Sequence, residues 1–291
     1  MTNQRNLRYT IRMKLTYLGT AAAEGLPAVW CNCPTCRAAF AAGGKDIRTR
    51  SQILIDDCVL LDFPMDTYMH VLQNKLDLSR VDAVLITHAH MDHCYPQEFN
   101  LHGAPFAHDM QKPVVTVYGN VTVQAAFRAA TRAEMKPEIA PSVPFAAVRP
   151  YDRFTTASGY RVTALPAVHT AGEECLIYAV EKDGKTALLC NDSGILPDAT
   201  YERMRSLGLR FDLVSFDCTY GYARHGAGRH MGALDAADAR ETMRRYGLVH
   251  ENTRYILTHF SHNCDLSHAR LEEKTRDLAF TVAYDGMQTE I

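Results

Sequence analysis

Four potential metal ligands lie within six residues of one another, directly after an apolar segment. The segment Ala83–Thr87 has the length and composition of a β-strand, and it is followed by His88, His90, Asp92 and His93. Residues i and i+2 of an extended chain point the same way, so His88 and His90 can bind one ion, while Asp92 and His93 can face a second ion. Imidazole nitrogens and a carboxylate suit Zn, Mn or Fe. Because burying these groups unpaired costs several kcal/mol, the spacing predicts a metal site.

Three further candidate ligands, His169, Asp192 and His259, follow predicted strands later in the chain. The apolar runs that precede them are Arg161–Leu165, Ala187–Cys190 and Tyr255–Thr258. A single histidine or aspartate at such a position is more often an ordinary loop residue. Their shared position at strand ends, after the first cluster, favours a joint role.

The sequence THAHMDH resembles the HxHxDH motif of the metallo-β-lactamase superfamily, and the three later residues resemble that family's remaining ligands. The resemblance covers about residues 13–290 and implies an α/β (α+β) fold, an αββα sandwich of two mixed sheets with helices outside. It also implies two ions, each with three ligands of its own, and Asp192 bridging them. The first set is His88, His90 and His169, and the second set is Asp92, His93 and His259. Seven ligands without a cysteine resemble the superfamily's dinuclear hydrolases and nucleases more than its sulfur dioxygenases or lactamases.

Cys31, Cys33 and Cys36 form a second cluster with the spacing of a zinc site. Nine cysteines is an odd number, and the chain of 291 residues is not a small secreted domain, so metal chemistry is favoured over disulfides. Three thiolates need a fourth ligand, for which His262 is one candidate and Cys264 the other. Without a fourth ligand, the cluster would be three reduced cysteines in a loop.

The segment Gly19–Cys36 resembles one group within the superfamily more closely than the others. It is similar to the opening of the phosphoribosyl 1,2-cyclic phosphate phosphodiesterases of the carbon–phosphorus lyase pathway and of the related pyrroloquinoline-quinone biosynthesis B proteins. The segments Leu257–His262 and Tyr284–Met287 also resemble the phosphodiesterases. In that family three cysteines and a histidine bind a structural zinc, and the resemblance implies that His262 is this histidine. The chain departs from that family's pattern at two places. Ala21–Ala22 replaces a glycine-rich stretch, and Asp62–Pro64 replaces an Asp-x-Gly sequence. These departures bear on the identity of the substrate and not on the metal centre.

The resemblance implies hydrolysis of a small (cyclic) phosphodiester by a hydroxide that bridges the two active-site ions and attacks phosphorus. Two dications, two aspartates and a hydroxide sum to a positive charge that attracts the diester, whereas the cysteine site sums to a negative charge and is structural. The candidate catalytic residues are Asp92 and His230. His230 resembles the family's proton donor, and a solvated loop histidine is an equally good interpretation. Arg48 and Arg50 are candidates for holding the anion, although a solvated charged loop is favoured for both.

Three other functions are alternatives: a nuclease of the tRNA 3′-processing type, a thioester or lactone hydrolase, and a non-catalytic protein of the quinone-biosynthesis B type. The net charge of −2 and the lack of a Lys/Arg-rich insertion disfavour a nucleic-acid partner. The full set of seven ligands disfavours a non-catalytic protein. We expect a small-molecule substrate and no membrane partner, and a homodimer is left open.

Alternating strands and helices must position these residues. The composition, 47% hydrophobic and 22% charged, is that of a globular protein. The remaining predicted strands are Lys14–Leu18, Gln52–Ile55, Val59–Asp62, Val114–Tyr118, Leu176–Val180 and Leu213–Asp217. The predicted helices are Val121–Arg132, Asp198–Leu207, Ala233–Tyr246 and Ser267–Asp277. This order predicts a layered α/β fold in one domain, 1–291, with a zinc-binding loop at about residues 29–50 and a loop at the proline-rich segment 137–150.

The hydropathy pattern bears on location. No apolar run approaches the ~18 residues of a membrane-spanning helix. The first residues, MTNQRNLRYTIRMK, are polar and basic, which is not the pattern of a secretory signal. We therefore expect a cytoplasmic protein.

Overall fold

The computed structural model describes residues 12–291, which form two seven-stranded sheets. The first sheet has the order β14-β1-β2-β3-β4-β5-β6, and the second has the order β13-β12-β11-β10-β9-β8-β7. The strands of the first sheet are β1 (Lys14–Gly19), β2 (Gln52–Ile55), β3 (Val59–Leu61), β4 (Ala83–Leu85), β5 (Thr116–Gly119), β6 (Phe145–Ala147) and β14 (Met287–Glu290). Those of the second are β7 (Arg153–Thr155), β8 (Arg161–Pro166), β9 (Leu176–Lys182), β10 (Lys185–Cys190), β11 (Phe211–Asp217), β12 (Val249–Thr258) and β13 (Thr281–Val282).

Both sheets are mixed in the same way. In the first, β14 through β3 pair antiparallel, and β3 through β6 pair parallel. In the second, β7 through β10 pair antiparallel, and β10 through β13 pair parallel. The carboxyl ends of parallel strands meet at one edge of a sheet, where open α/β sheets usually form their sites.

The core between the sheets follows from alternation along the strands. In β10, Ala187 and Leu189 pack between the sheets, while Leu188 and Cys190 face the outer side, where helices cover them. On the outer side of the first sheet, Val123 and Phe127 of a helix pack on apolar strand residues. The resulting helix–sheet–sheet–helix order confirms the predicted αββα sandwich.

Within residues 12–291, six α-helices accompany the sheets: α1 (Pro34–Ala42), α2 (Thr67–Asn74), α3 (Val121–Thr131), α4 (Asp198–Ser206), α5 (Ala233–Arg245) and α6 (His268–Thr275). The four predicted helices correspond to α3 through α6 within a few residues. Helix α3 begins after Asn120, whose side chain accepts hydrogen bonds from the N–H groups of Thr122 and Val123. None of the helices in the described part of the chain has the length and hydropathy needed to cross a bilayer.

The differences from the predicted elements concern short segments. Helices α1 and α2 were not predicted. Helix α1 begins inside the cysteine cluster, which is predicted to be a zinc-binding loop, and α2 has no side-chain hydrogen bond capping its first turn. The proline-rich segment 137–150, predicted to be a loop, contains the edge strand β6. Its prolines lie outside the three residues that pair with β5, which is why they do not interrupt the strand.

Candidate metal centre

The four clustered ligands lie in a turn that follows β4. The N–H groups of His93 and Cys94 both donate to the carbonyl of His90, at 3.0 and 2.8 Å, so the chain reverses directly after the strand. The imidazoles of His88 and His90 converge, with His88 Nε2 2.9 Å from His90 Nδ1. The i and i+2 histidines therefore face the same point, as the sequence predicts.

The first group of converging ligands is His88, His90, His169 and Asp192, whose ligand atoms all lie within 4.8 Å of one another. His169 Nε2 lies 3.1 Å from His90 Nδ1, and Asp192 Oδ2 lies 3.4 Å from His88 Nε2. His169 follows β8 and Asp192 follows β10, so two strand ends of the second sheet meet the turn after β4. Three imidazoles and a carboxylate have the donor set of a divalent transition-metal site.

The second group is Asp92, His93, Asp192 and His259, again within 4.8 Å. His93 Nε2 lies 3.0 Å from Asp92 Oδ2 and 3.3 Å from Asp192 Oδ2. His259 Nε2 lies 3.6 Å from Asp192 Oδ2. Asp192 belongs to both groups, which is the position expected of a bridging carboxylate.

Two buried nitrogens test whether this centre fits metal ions. His93 Nε2 and His259 Nε2 are buried and have no hydrogen-bond partner among the described residues. Leaving such groups unpaired is costly, and native proteins rarely do so without a ligand or an ion. Both nitrogens point at carboxylates that lack hydrogen-bond geometry with them, so the arrangement fits two divalent cations.

The pKa shifts agree with this arrangement. Burial lowers the pKa of His88, which favours the neutral imidazole that binds metals. Burial opposes ionisation of Asp92 and Asp192, yet His93 and His259 hold the pKa of these carboxyls well below the usual range. Burial also opposes protonation of His259, but Asp192 raises its pKa to about 10. The carboxylates that attract this proton also favour a divalent cation in its place.

Hydrogen bonds around the ligands fix their orientation. The buried Asp62 accepts from His93 Nδ1 at 2.7 Å and from the N–H and hydroxyl of Thr87 at 2.8 and 2.9 Å. Thr219 Oγ1 lies 2.9 Å from His259 Nδ1. Such partners determine which nitrogen of an imidazole is free for a metal. In the sequence, Asp62 stands out only as a departure from a motif. No local signal marks Thr219, because its role depends on a histidine 40 positions away.

His230 lies at the centre and not in a solvated loop. Its Nδ1 is 2.9 Å from Asp192 Oδ1 and 3.1 Å from Asp217 Oδ2. Burial opposes its protonation, but hydrogen bonds to Asp192 and Asp217 raise the pKa of His230 to about 9. His230 therefore combines contact with the candidate metal ligands and exposure to the cavity described next.

A cavity of about 540 Å³ opens over the metal centre. Its wall includes the ligands His90, Asp92, His169, Asp192 and His259, and also Glu24, His225, Arg229, His230, Ser261 and Asn263. Arg48 and Arg50, considered as anion-binding residues, do not line it. Arg48 is buried and donates to Thr20 Oγ1 and to the carbonyl of Ala283, both at 2.7 Å. Arg50 pairs with Asp66, so neither arginine is a solvated loop residue.

The cysteine cluster comes together with His262. The ligand atoms of Cys31, Cys33, Cys36 and His262 lie within 4.8 Å, with His262 Nδ1 3.3 Å from Cys36 Sγ and 3.6 Å from Cys33 Sγ. Cys264, the other candidate for a fourth ligand, is not part of this group. The N–H of Cys36 and the imidazole of His262 lower the pKa of Cys33 to about 6, which favours the thiolate. The four residues have the donor set of a closed tetrahedral zinc site.

Solved structures with the same architecture cover nearly all of both chains. A diphosphatase of the PhnP family aligns over 97% of this chain and 98% of its own, with a TM-score of 0.72 and 23% identity. PqqB from Methylobacterium extorquens aligns over 96% of this chain and 100% of its own, with a TM-score of 0.71 and 18% identity. YhfI from Bacillus subtilis, a metallo-beta-lactamase fold protein, aligns over 97% of this chain and 100% of its own, with a TM-score of 0.68 and 18% identity. The TM-scores show that these proteins share the fold of this chain.

A local sequence similarity links the chain to an octanoyltransferase from Porphyromonas gingivalis, 35% identical over 85 residues. The match covers 28% of this chain and 16% of that protein. The chain thus spans about a sixth of that relative's length.

The sequence model of the beta-lactamase superfamily domain matches residues 53–260. This range is most of the chain, and it contains the turn after β4 and the three later strand-end ligands. The family and the donor set together support a metal-dependent hydrolase. The chain therefore belongs to the beta-lactamase superfamily domain family.

Proposed function

We propose that this protein is a phosphodiesterase that hydrolyses a small (cyclic) phosphodiester with two divalent metal ions. The observation that carries the proposal is the seven-residue centre, in which Asp192 belongs to both groups of ligands, at the base of a cavity that Arg229 also lines. A solved structure of the same fold is named a diphosphatase of the PhnP family, which agrees with chemistry at phosphorus.

In this proposal His88, His90 and His169 would hold one ion, Asp92, His93 and His259 would hold the other, and Asp192 would be available to both. When bound, a pair of divalent ions lowers the pKa of water and neutralises charge that develops on phosphoryl oxygens. The protein's own contribution is to fix seven donors on strand ends and short turns, so that little reorganisation is needed during the reaction.

Charge in the cavity favours an anionic substrate of limited size. Arg229 lines the same cavity as the metal centre, and a guanidinium pairs well with phosphate oxygens. A volume of about 540 Å³ is within the range of small-ligand sites. These features favour a small diester over an extended nucleic acid, which would need a longer basic surface.

His230 is the proposed proton donor to the leaving oxygen. Its Nδ1 faces Asp217 and Asp192, which fixes the ring and leaves Nε2 as the nitrogen that can serve a substrate in the cavity. General acids of this kind contribute about 10²–10⁴-fold. Their contribution is largest for leaving groups that are poor without protonation.

Three model substrates test the reaction class. We expect the metal-loaded protein to hydrolyse bis(p-nitrophenyl) phosphate and to act weakly on a lactone and on a thioester. Asp192→Asn serves as the control for metal-dependent turnover, because it removes the shared carboxylate charge. Activity on the carbonyl compounds alone would refute the phosphodiesterase proposal.

A leaving-group series tests His230. In His230→Ala we expect a loss of about 10²–10³-fold for alkyl phosphodiesters and only a few-fold loss for p-nitrophenyl esters, which need little protonation. The measurement is kcat/KM against leaving-group pKa for the two proteins. Equal losses across the series would mean that His230 does not donate the proton.

The cysteine group has a separate proposed role, a structural zinc held by Cys31, Cys33, Cys36 and His262. All four positions of a tetrahedral zinc would be filled by protein, leaving none for a substrate. His262 lies three residues after the ligand His259, so this site would brace the loop that carries an active-site ligand.

A further inference from the structure

The loop between β8 and β9, residues 167–175, reaches the turn after β4 at more points than its ligand His169. Thr170 Oγ1 lies 3.2 Å from His90 Nε2, the ring nitrogen opposite the one that faces the metal centre. The carboxylate of Glu173 accepts a hydrogen bond of 2.9 Å from the main-chain N–H of Ala89. Ala89 lies between His88 and His90, so this bond fixes the backbone that carries two ligands.

Glu173 is itself held from the first sheet. Asn120 Nδ2 donates to Glu173 Oε1 and to the carbonyl of Glu174, both at 2.9 Å. Asn120 is fully buried, and its Oδ1 caps helix α3 through two main-chain N–H groups. The acceptor oxygen of Glu173 is therefore fixed between a rigid helix end and the Ala89 amide.

We infer that Glu173 is a positioning residue for the first group of ligands, His88, His90 and His169. Its carboxylate joins the loop that carries His169 to the backbone that carries the other two imidazoles, across the boundary between the two sheets. The inference rests on the proposed two-ion centre and adds to it a residue that touches neither ion.

The effect on the two ions is unequal. The second group is oriented by other partners, Asp62 on His93 and Thr219 on His259. Neither of these bonds involves Glu173 or Ala89. Loss of Glu173 should thus loosen the first group more than the second, whose histidines have these partners of their own. Outer-sphere partners of metal ligands typically change metal affinity by about 10–100-fold.

Three variants of the full-length protein test this inference: Glu173→Ala, Glu173→Gln and Glu174→Ala. Zn²⁺ affinity of each site is measured by chelator competition, and thermal unfolding is followed for each metal-free protein. We expect Glu173→Ala to bind one of its two active-site ions about 10–100-fold more weakly and the other with a smaller loss of affinity. Glu173→Gln keeps a side-chain oxygen for Ala89 and should restore most of the affinity. Glu174→Ala is the matched control, because only the main-chain oxygen of Glu174 is used.

If Glu173→Ala does not fold, Glu173→Asp provides the same comparison, since its shorter side chain keeps the charge but cannot reach both donors. Wild-type affinity for both ions in Glu173→Ala, or in Glu173→Asp where the alanine variant does not fold, would overturn the inference. Equal weakening of both ions together with a less stable metal-free protein would also overturn it, because that result indicates a general structural role. A wild-type protein that binds Zn²⁺ only at the cysteine group would overturn the two-ion proposal and the inference with it.

Discussion

Replacement of Asp62 by asparagine tests how strongly one buried carboxylate controls the second group of ligands. Asp62 is fully buried and accepts three hydrogen bonds of 2.7–2.9 Å, two from Thr87 and one from His93 Nδ1. In Asp62→Asn, the remaining carbonyl oxygen can still serve Thr87, which leaves the new NH₂ group facing His93 Nδ1. One charge-assisted hydrogen bond is lost, and the ring of His93 must respond.

Either response of His93 weakens metal binding. If Nδ1 keeps its proton, two donors face each other in a buried site, which costs about 1–3 kcal/mol beyond the lost hydrogen bond. If Nδ1 gives up its proton to accept from the amide, the proton moves to Nε2, the nitrogen that faces Asp92 and Asp192. A protonated Nε2 cannot bind an ion. We expect affinity for the second ion to fall about 10–100-fold, and the free energy of unfolding of the metal-free protein to fall by about 2–4 kcal/mol.

Chelator competition with Zn²⁺ and urea unfolding of the metal-free protein measure the two quantities. Asp57→Asn is a suitable control, because Asp57 is partly exposed and pairs with Lys14 at the surface, where ion pairs contribute little. The reasoning would be refuted by an Asp62→Asn protein that binds both ions with wild-type affinity.

Two further predictions concern other parts of the chain. Cys36→Ser should lower the metal content by one ion per chain and lower the melting temperature of the protein, while bis(p-nitrophenyl) phosphate hydrolysis is retained at low temperature; an unchanged metal count would contradict the structural zinc. Burial lowers the pKa of His70 to about 4, below its value of about 6.5 in the unfolded chain. The folded state therefore favours neutral His70, so this residue's contribution to stability is complete above pH 6.5 and is lost as the pH falls towards 4, by on the order of 3 kcal/mol. The difference in unfolding free energy between wild type and His70→Gln, measured from pH 7 to pH 4, should change by that amount, and a constant difference would exclude the effect.

The metal ligands could be predicted because each follows a strand that the local sequence already encodes. The apolar run before His88 and the runs before His169, Asp192 and His259 are short, β-rich and buried. One polar residue after such a run indicates little, but histidines and aspartates after four of them point to a joint site. The helices α3 through α6 were predicted for a similar reason, since caps and periodic apolar positions are local signals.

The residues that support the ligands could not be predicted in this way. Glu173 and Arg48 have sequence neighbours typical of turns and loops, and Asp62 ends a predicted strand. The roles of all three depend on partners far along the chain. Glu173 Oε1, for example, contacts Asn120, 53 positions away. Arg48 contacts the carbonyl of Ala283, 235 positions away, and its burial cannot be inferred from a charged local sequence. Only the packing of the two sheets brings these pairs together.

The division of the seven ligands between the two sheets has a mechanical consequence. Four ligands follow β4 of the first sheet, and His169, Asp192 and His259 follow strands of the second. A pair of ions held there would connect the two sheets, so that metal binding at the centre would also stabilise the packing of one sheet against the other. Removing the ions would take away this connection at the edge of the sandwich, while the apolar core between the sheets would stay intact. We therefore expect the two sheets to be less firmly connected around the cavity in the metal-free protein than in the metal-bound protein.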